Sequence, residues 1–227
     1  MRAALRDAGN ADDAVFLQRF FKTGPGQYGE GDVFYGVRVP ATRVIVKAFR
    51  DLPLDEIDRL LDDPVHECRL AGVLLLVARF RKDPDAVASR YLAAVYRGRV
   101  NNWDIVDASA EFIVGPWVRD GDRSLLFELA ASPSLWQRRV AVLSTFDFIK
   151  HGDPSTTFAL AESLLDDPED LMHKAVGWML REVGKRVDRS ALLGFLDRHA
   201  AEMPRTMLSY ATEHLEPEQR THYRALR

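Results

Sequence analysis

The chain has a single cysteine, Cys68, in 227 residues. One cysteine excludes an internal disulfide framework and a Cys-based zinc cluster. Long apolar runs are missing too. The longest, Leu70 to Ala78, falls far short of the roughly 20 residues that a membrane-spanning helix needs. The opening residues Met1-Arg2-Ala3-Ala4-Leu5-Arg6-Asp7 contain no apolar core of a signal peptide, so a cytoplasmic protein with no membrane partner is expected. There is no surplus of basic charge: 31 Lys+Arg stand against 34 Asp+Glu, a formal net charge of -3. A nucleic-acid partner would therefore have to be met by a local basic patch. Six scattered histidines, including His66 in His66-x-Cys68, do not form a ligand set, and neither metal nor other cofactor is expected. The stretch Gly24–Gly31 lacks the Gly-Lys-Ser/Thr of a phosphate loop.

Helical periodicity is what the sequence has in abundance. Apolar residues recur three and four apart through Ala41–Phe49, Leu70–Phe80, Tyr91–Tyr96, Leu125–Leu129, Val140–Ile149, Phe158–Leu165 and Ala175–Val183. The segment Thr23–Pro40, rich in glycine, reads as a loop, either flexible or a connector, with Pro40 as first residue of the next helix. A repeat appears when the breakers are aligned. Leu60-Leu61-Asp62-Asp63-Pro64 returns as Leu164-Leu165-Asp166-Asp167-Pro168, with Ser132-Pro133 between them, and a basic residue follows each (Arg69, Arg139, Lys174). Spacings of about 35 residues and twice that predict an all-α, curved solenoid of HEAT-like helical repeats, a single domain over residues 1–227. Asn101-Asn102 takes the place of a missing breaker, so one inner helix should begin at Trp103.

On a helix Trp103 and Asp107 share a face, as do Trp178 and Arg181. Asp104 points elsewhere, as a helix-start charge. Stacked in register, the inner helices would bring Trp103, Asp107, Arg139, Trp178 and Arg181 toward one concave surface. Taken singly, each fits a bland role: tryptophans in a core, a solvated carboxylate, arginines in helix–helix ion pairs.

The blocks Asn102-Trp103-Asp104-Ile105-Val106-Asp107, Leu135-Trp136-Gln137-Arg138-Arg139-Val140-Ala141 and Lys174-Ala175-Val176-Gly177-Trp178-Met179-Leu180-Arg181-Glu182 resemble those of AlkD-type DNA alkylation repair glycosylases. Gly36-Val37-Arg38-Val39-Pro40 resembles the family's entry into its second helical region. The resemblance runs in order from about Phe20 to Arg205. It implies duplex DNA in the concave groove and hydrolytic excision of cationic alkylated purines such as 3-methyladenine and 7-methylguanine, or bulkier N3 and N7 adducts, without a deep base pocket. It makes Asp107 the catalytic carboxylate and Trp103 and Trp178 the indoles that hold the nucleotide's sugar. Arg139 becomes a DNA contact and Arg181 a supporting basic residue, with Phe20 and Arg38 near the lesion; the low net charge further requires basic residues, Arg138 and Lys174 among them, to be segregated toward the groove. The expected enzyme is a monofunctional, monomeric glycosylase acting in base excision repair; the alternative is a non-catalytic HEAT-like module that binds DNA structures or a protein.

Overall fold

The computed structural model describes residues 1–226. Among them are fifteen helices and no strand beyond an isolated bridge between Val33 and Val65, so the all-α expectation holds. The chain forms two compact units, Met1–Ser109 and Ala110–Arg227.

The first unit contains α1 (Arg2–Asp7), α2 (Ala11–Phe20), α3 (Val39–Ala48), α4 (Leu54–Leu61), α5 (His66–Arg79), α6 (Pro84–Tyr96) and α7 (Trp103–Asp107). Its spine is α5, buried without interruption from His66 to Leu76 and packed against α3, α4, α6 and α7. A helix apolar on every face must be enclosed by others, and its neighbours do this. The second unit contains α8 (Ala110–Val118), α9 (Ser124–Ala130), α10 (Leu135–Lys150), α11 (Ser155–Ser163), α12 (Asp170–Arg186), α13 (Arg189–His199), α14 (Arg205–Ala211) and α15 (Pro217–Ala225). Here α10 packs on α8, α9 and α12, and α12 packs on α13 and α14.

Each breaker lies between a short helix and a long one, which is the helical-repeat pattern the sequence predicts. The register of the basic residues differs, however. Arg69 Nη1 donates to the carbonyls of Asp63 and Pro64, both at 2.9 Å, and Arg138 Nη1 donates to those of Ser132 and Pro133, both at 3.0 Å. His173 Nε2 lies 2.6 Å from the Asp167 carbonyl. The equivalent positions are thus Arg69, Arg138 and His173, one residue earlier than Arg139 and Lys174 in the last two repeats. The physical reason is that a breaker ahead of a helix leaves carbonyls without intrahelical partners, and a side chain from the following turn folds back to satisfy them.

Arg138 is corrected accordingly. Its Nε donates to Asp167 Oδ2 at 2.6 Å, and that carboxylate is itself buried, so the guanidinium belongs to the interior and not to a DNA groove. Leaving Asp167 buried without its partner should make Arg138→Ala less stable by about 3 kcal/mol. Urea unfolding measures this, and a variant as stable as wild type would contradict the assignment. Basic residues of the first unit are likewise engaged within the protein. Arg69 is buried, Arg97 and Arg99 pair with Asp62, and Arg79 donates to the Leu52 carbonyl at 2.8 Å.

Residues 21–38 form the expected loop, but α3 begins at Val39, with Pro40 in its second position. The loop is pinned to the body of the unit. Gly36 sits at φ +82, and a Cβ there would lie 2.0 Å from the Asn10 carbonyl oxygen, so only glycine fits.

Candidate active site

In the first unit the chain turns into α7 at Asn102, whose Oδ1 accepts from the Trp103 N–H at 2.9 Å. The helix lasts one turn and carries Trp103 at its start and Asp107 at its end, both partly exposed. Just beyond its end Ser109 Oγ donates to the Ile105 carbonyl at 2.6 Å and lies 2.9 Å from the Tyr91 hydroxyl. The inner helix predicted from Trp103 is therefore a single turn.

A buried ionic chain anchors that turn. His66 opens α5 and is 1% exposed. Its Nδ1 lies 3.1 Å from Asp32 Oδ2 and its Nε2 2.9 Å from Asp104 Oδ2. Burial pushes the imidazole pKa down, but the charge and hydrogen bond of Asp104, then those of Asp32, prevail and raise it to about 9. The ring is therefore an imidazolium, and both nitrogens donate. Burial pushes the Asp32 carboxyl up, while the His66 hydrogen bond and the Arg69 charge hold it below the usual range. Asp32 Oδ1 also accepts from Arg69 Nη2 at 2.5 Å and from Asn101 Nδ2 at 3.2 Å. Next to His66, the Glu67 carboxylate accepts three loop N–H groups, from Tyr35 at 3.1 Å, Gly36 at 2.8 Å and Val37 at 3.0 Å. The loop, α5 and the start of α7 are thereby one rigid piece.

Rings cover this chain. Phe21 and Phe34 pack on His66 at centroid distances of 4.8 and 4.6 Å, and Phe21 lies 5.3 Å from Trp103. Phe20 meets Trp103 edge-on at 5.9 Å. Arg38 holds Asp13 through two hydrogen bonds, at 3.0 and 2.6 Å, with its guanidinium 5.4 Å from the Phe16 ring. Together these surround a cavity of about 470 Å³ whose wall includes Phe20, Arg38, Trp103 and Asp104. Phe20, Arg38 and Trp103, all candidates from the sequence, thus meet in one wall. The sequence did not single out Asp32, His66 or Glu67, and it read Asp104 only as a helix-start charge.

In the second unit Trp178 and Arg181 lie on α12 and converge on one carboxylate. Trp178 Nε1 donates to Glu182 Oε1 at 3.3 Å and Arg181 Nη2 reaches the same oxygen at 3.4 Å, while Arg186 Nε donates to Oε2 at 2.6 Å. Burial pushes the Glu182 carboxyl up, but Arg186, with Arg181 and Lys185, holds it below the usual range. Arg181 also pairs with Glu213. The Trp178 indole rests edge-on against Phe146 at 5.8 Å, and Lys150 and Arg186 lie over that same ring. Close packing behind the indole is possible because Gly177 lets α12 approach α14; a Cβ there would lie 2.5 Å from the Met207 carbonyl oxygen. Arg139 is buried and donates to the Leu171 carbonyl at 2.6 Å, and Lys174 pairs with Asp170 at 2.8 Å.

The family model for DNA alkylation repair enzymes matches residues 1–215. A solved structure described as a predicted DNA alkylation repair enzyme from Enterococcus faecalis superposes with a TM-score of 0.72 at 17% identity, covering 92% of this chain and 97% of that one. At that identity the superposition establishes a shared fold. No curated protein matches the sequence.

Proposed function

The chain belongs to the DNA alkylation repair enzyme family, and on that premise we propose that it is a monofunctional glycosylase that hydrolyses the N-glycosidic bond of cationic alkylated purines in duplex DNA. Family membership makes DNA its partner and alkylation repair its role. The finer reading is carried by one observation: a single helical turn presents an indole and a partly exposed carboxylate, Trp103 and Asp107, and is fixed at Asp104 by the buried imidazolium of His66.

An N3- or N7-alkylated purine carries positive charge and departs with the electron pair of the C1′–N bond. Cationic character then builds on the sugar. Asp107 stabilises that charge and takes a proton from the water that adds to C1′, leaving an abasic site. Because its helix is fixed before substrate arrives, little reorganisation is needed in the transition state. The indole faces of Trp103 in the first unit and of Trp178 in the second are each suited to a sugar, as indole faces attract cationic and polarised C–H groups. Arg181 and Lys174 of the second unit serve phosphates and Phe20 and Arg38 of the first face the lesion, while Arg139, buried against the Leu171 carbonyl, supports the start of α12 from within. Arg181 and Lys174 exchange their carboxylate partners for phosphate when DNA binds. The protein acts as a monomer, and bulky N3 or N7 adducts are substrates of the same chemistry.

The product distinguishes this reaction from lyase chemistry. The expected product is an intact strand that breaks only in alkali, with no protein–DNA adduct trapped by borohydride. Direct strand nicking or a trapped adduct would contradict simple hydrolysis. Affinity should also fall steeply with salt, and Lys174→Ala should reduce the log–log slope by about 1. A flat salt dependence would contradict phosphate binding.

A further inference from the structure

We infer that Glu182 is a positioning residue for base excision: it holds the Trp178 indole in the orientation that presents a face to the sugar of the lesioned nucleotide. This role rests on the glycosylase reading and deepens it, since Glu182 places a group and does not itself react.

Trp178 and Glu182 are about one helical turn apart on α12 and share a face. The indole Nε1–H donates to Glu182 Oε1 at 3.3 Å, although a half-buried ring can leave that group to water. Phe146 meets the same indole edge-on at 5.8 Å and is itself pinned by Lys150 and Arg186, at 4.4 and 5.2 Å from its centre. A hydrogen bond and a packed ring together restrict both torsions of the tryptophan. The carboxylate is held in turn. Arg186 Nε donates to Oε2 at 2.6 Å, and Arg181 Nη2 reaches Oε1 at 3.4 Å. The Glu182 side chain is 6% exposed, whereas Glu213, the other carboxylate on Arg181, is 52% exposed. A phosphate arriving at Arg181 therefore displaces Glu213 and leaves the Glu182 contact in place. Stability alone does not call for a carboxylate here, because apolar residues of similar size often match or exceed a buried ion pair. An apolar residue cannot accept the indole N–H. Contacts made to a transition state need side chains held within about 0.5 Å by a supporting shell, and Glu182 supplies that shell for Trp178.

Single-turnover base release at saturating DNA separates placement from affinity. Glu182→Gln keeps the length of the side chain but sets an amide NH2 against one of the donors that converge on the carboxylate. The saturating rate should fall on the order of ten- to a hundredfold, as misplacement by about 1 Å costs up to the larger factor. Kd for the same duplex should be no weaker, since a negative charge beside Arg181 is lost. In a Trp178→Phe background, with a ring face but no N–H, Glu182→Gln should change the rate little further. An unchanged rate in Glu182→Gln overturns the role and leaves the glycosylase reading standing. An equal fall in both backgrounds also overturns it, because the carboxylate then acts through packing and not through the indole. If Glu182→Gln does not fold, Arg186→Met loosens the carboxylate from an exposed position and should show the same split to a smaller degree. A wild-type rate in that variant overturns the role. Wild type that releases no base overturns the glycosylase reading and the role with it.

Discussion

Replacing Asp107 by Asn should abolish most base release while leaving DNA binding in place. The substitution keeps the size and shape of the side chain, removes its charge and replaces one acceptor oxygen by a donor NH2. A carboxylate about 4 Å from a developing cation at an effective dielectric near 20 contributes about 4 kcal/mol. At 1.36 kcal/mol per decade, that is roughly a thousandfold in rate. Asp107 is partly exposed and ends a one-turn helix, so its loss should cost little stability. Single-turnover release from a 7-methylguanine duplex measures the rate, and an unchanged rate would remove Asp107 from the reaction.

His66→Leu should have the largest effect on stability. It leaves the Asp32 and Asp104 carboxylates without the cation that bridges them at 3.1 and 2.9 Å. Breaking a buried ion pair from one side costs about 3–5 kcal/mol. Arg69 still reaches Asp32, which favours the lower end of that range. The same site makes stability depend on pH. A folded-state pKa of about 9 against an ordinary 6.5 means that the imidazolium's contribution is fully present below pH 6.5 and is lost as pH rises through 9. Its full size is about 3 kcal/mol. Urea midpoints at pH 6 and pH 10 should therefore fall further in wild type than in His66→Leu, since other alkaline titrations are common to both. Equal falls would contradict a charged His66.

Most long helices were legible because their apolar stripes are continuous: the periodic runs Leu70–Phe80, Val140–Ile149 and Ala175–Val183 lie in α5, α10 and α12. The helices α2 and α15 were not legible, because they bury too little to leave a stripe. No residue of α2 is buried, and α15 buries only Tyr223. Trp103 and Asp107 were visible as a four-residue spacing, and Phe20 and Arg38 through resemblance to a family. The ionic chain was hidden by distance, since Asp32, His66 and Asp104 are more than thirty residues apart at each step. Its one local trace is His66-Glu67-Cys68-Arg69, charged residues set directly before an apolar run at the buried end of α5. The repeat register slipped by one because Arg138-Arg139 and His173-Lys174 each offer two candidates, and only the carbonyl geometry distinguishes them.

Release of free base from duplex DNA carrying 3-methyladenine or 7-methylguanine tests the glycosylase reading most directly. The wild-type protein should liberate the alkylated purine and leave an abasic strand. Salt-sensitive binding of the same duplex with no free base released would contradict glycosylase activity on these lesions and make the chain a DNA-binding module of the repair family.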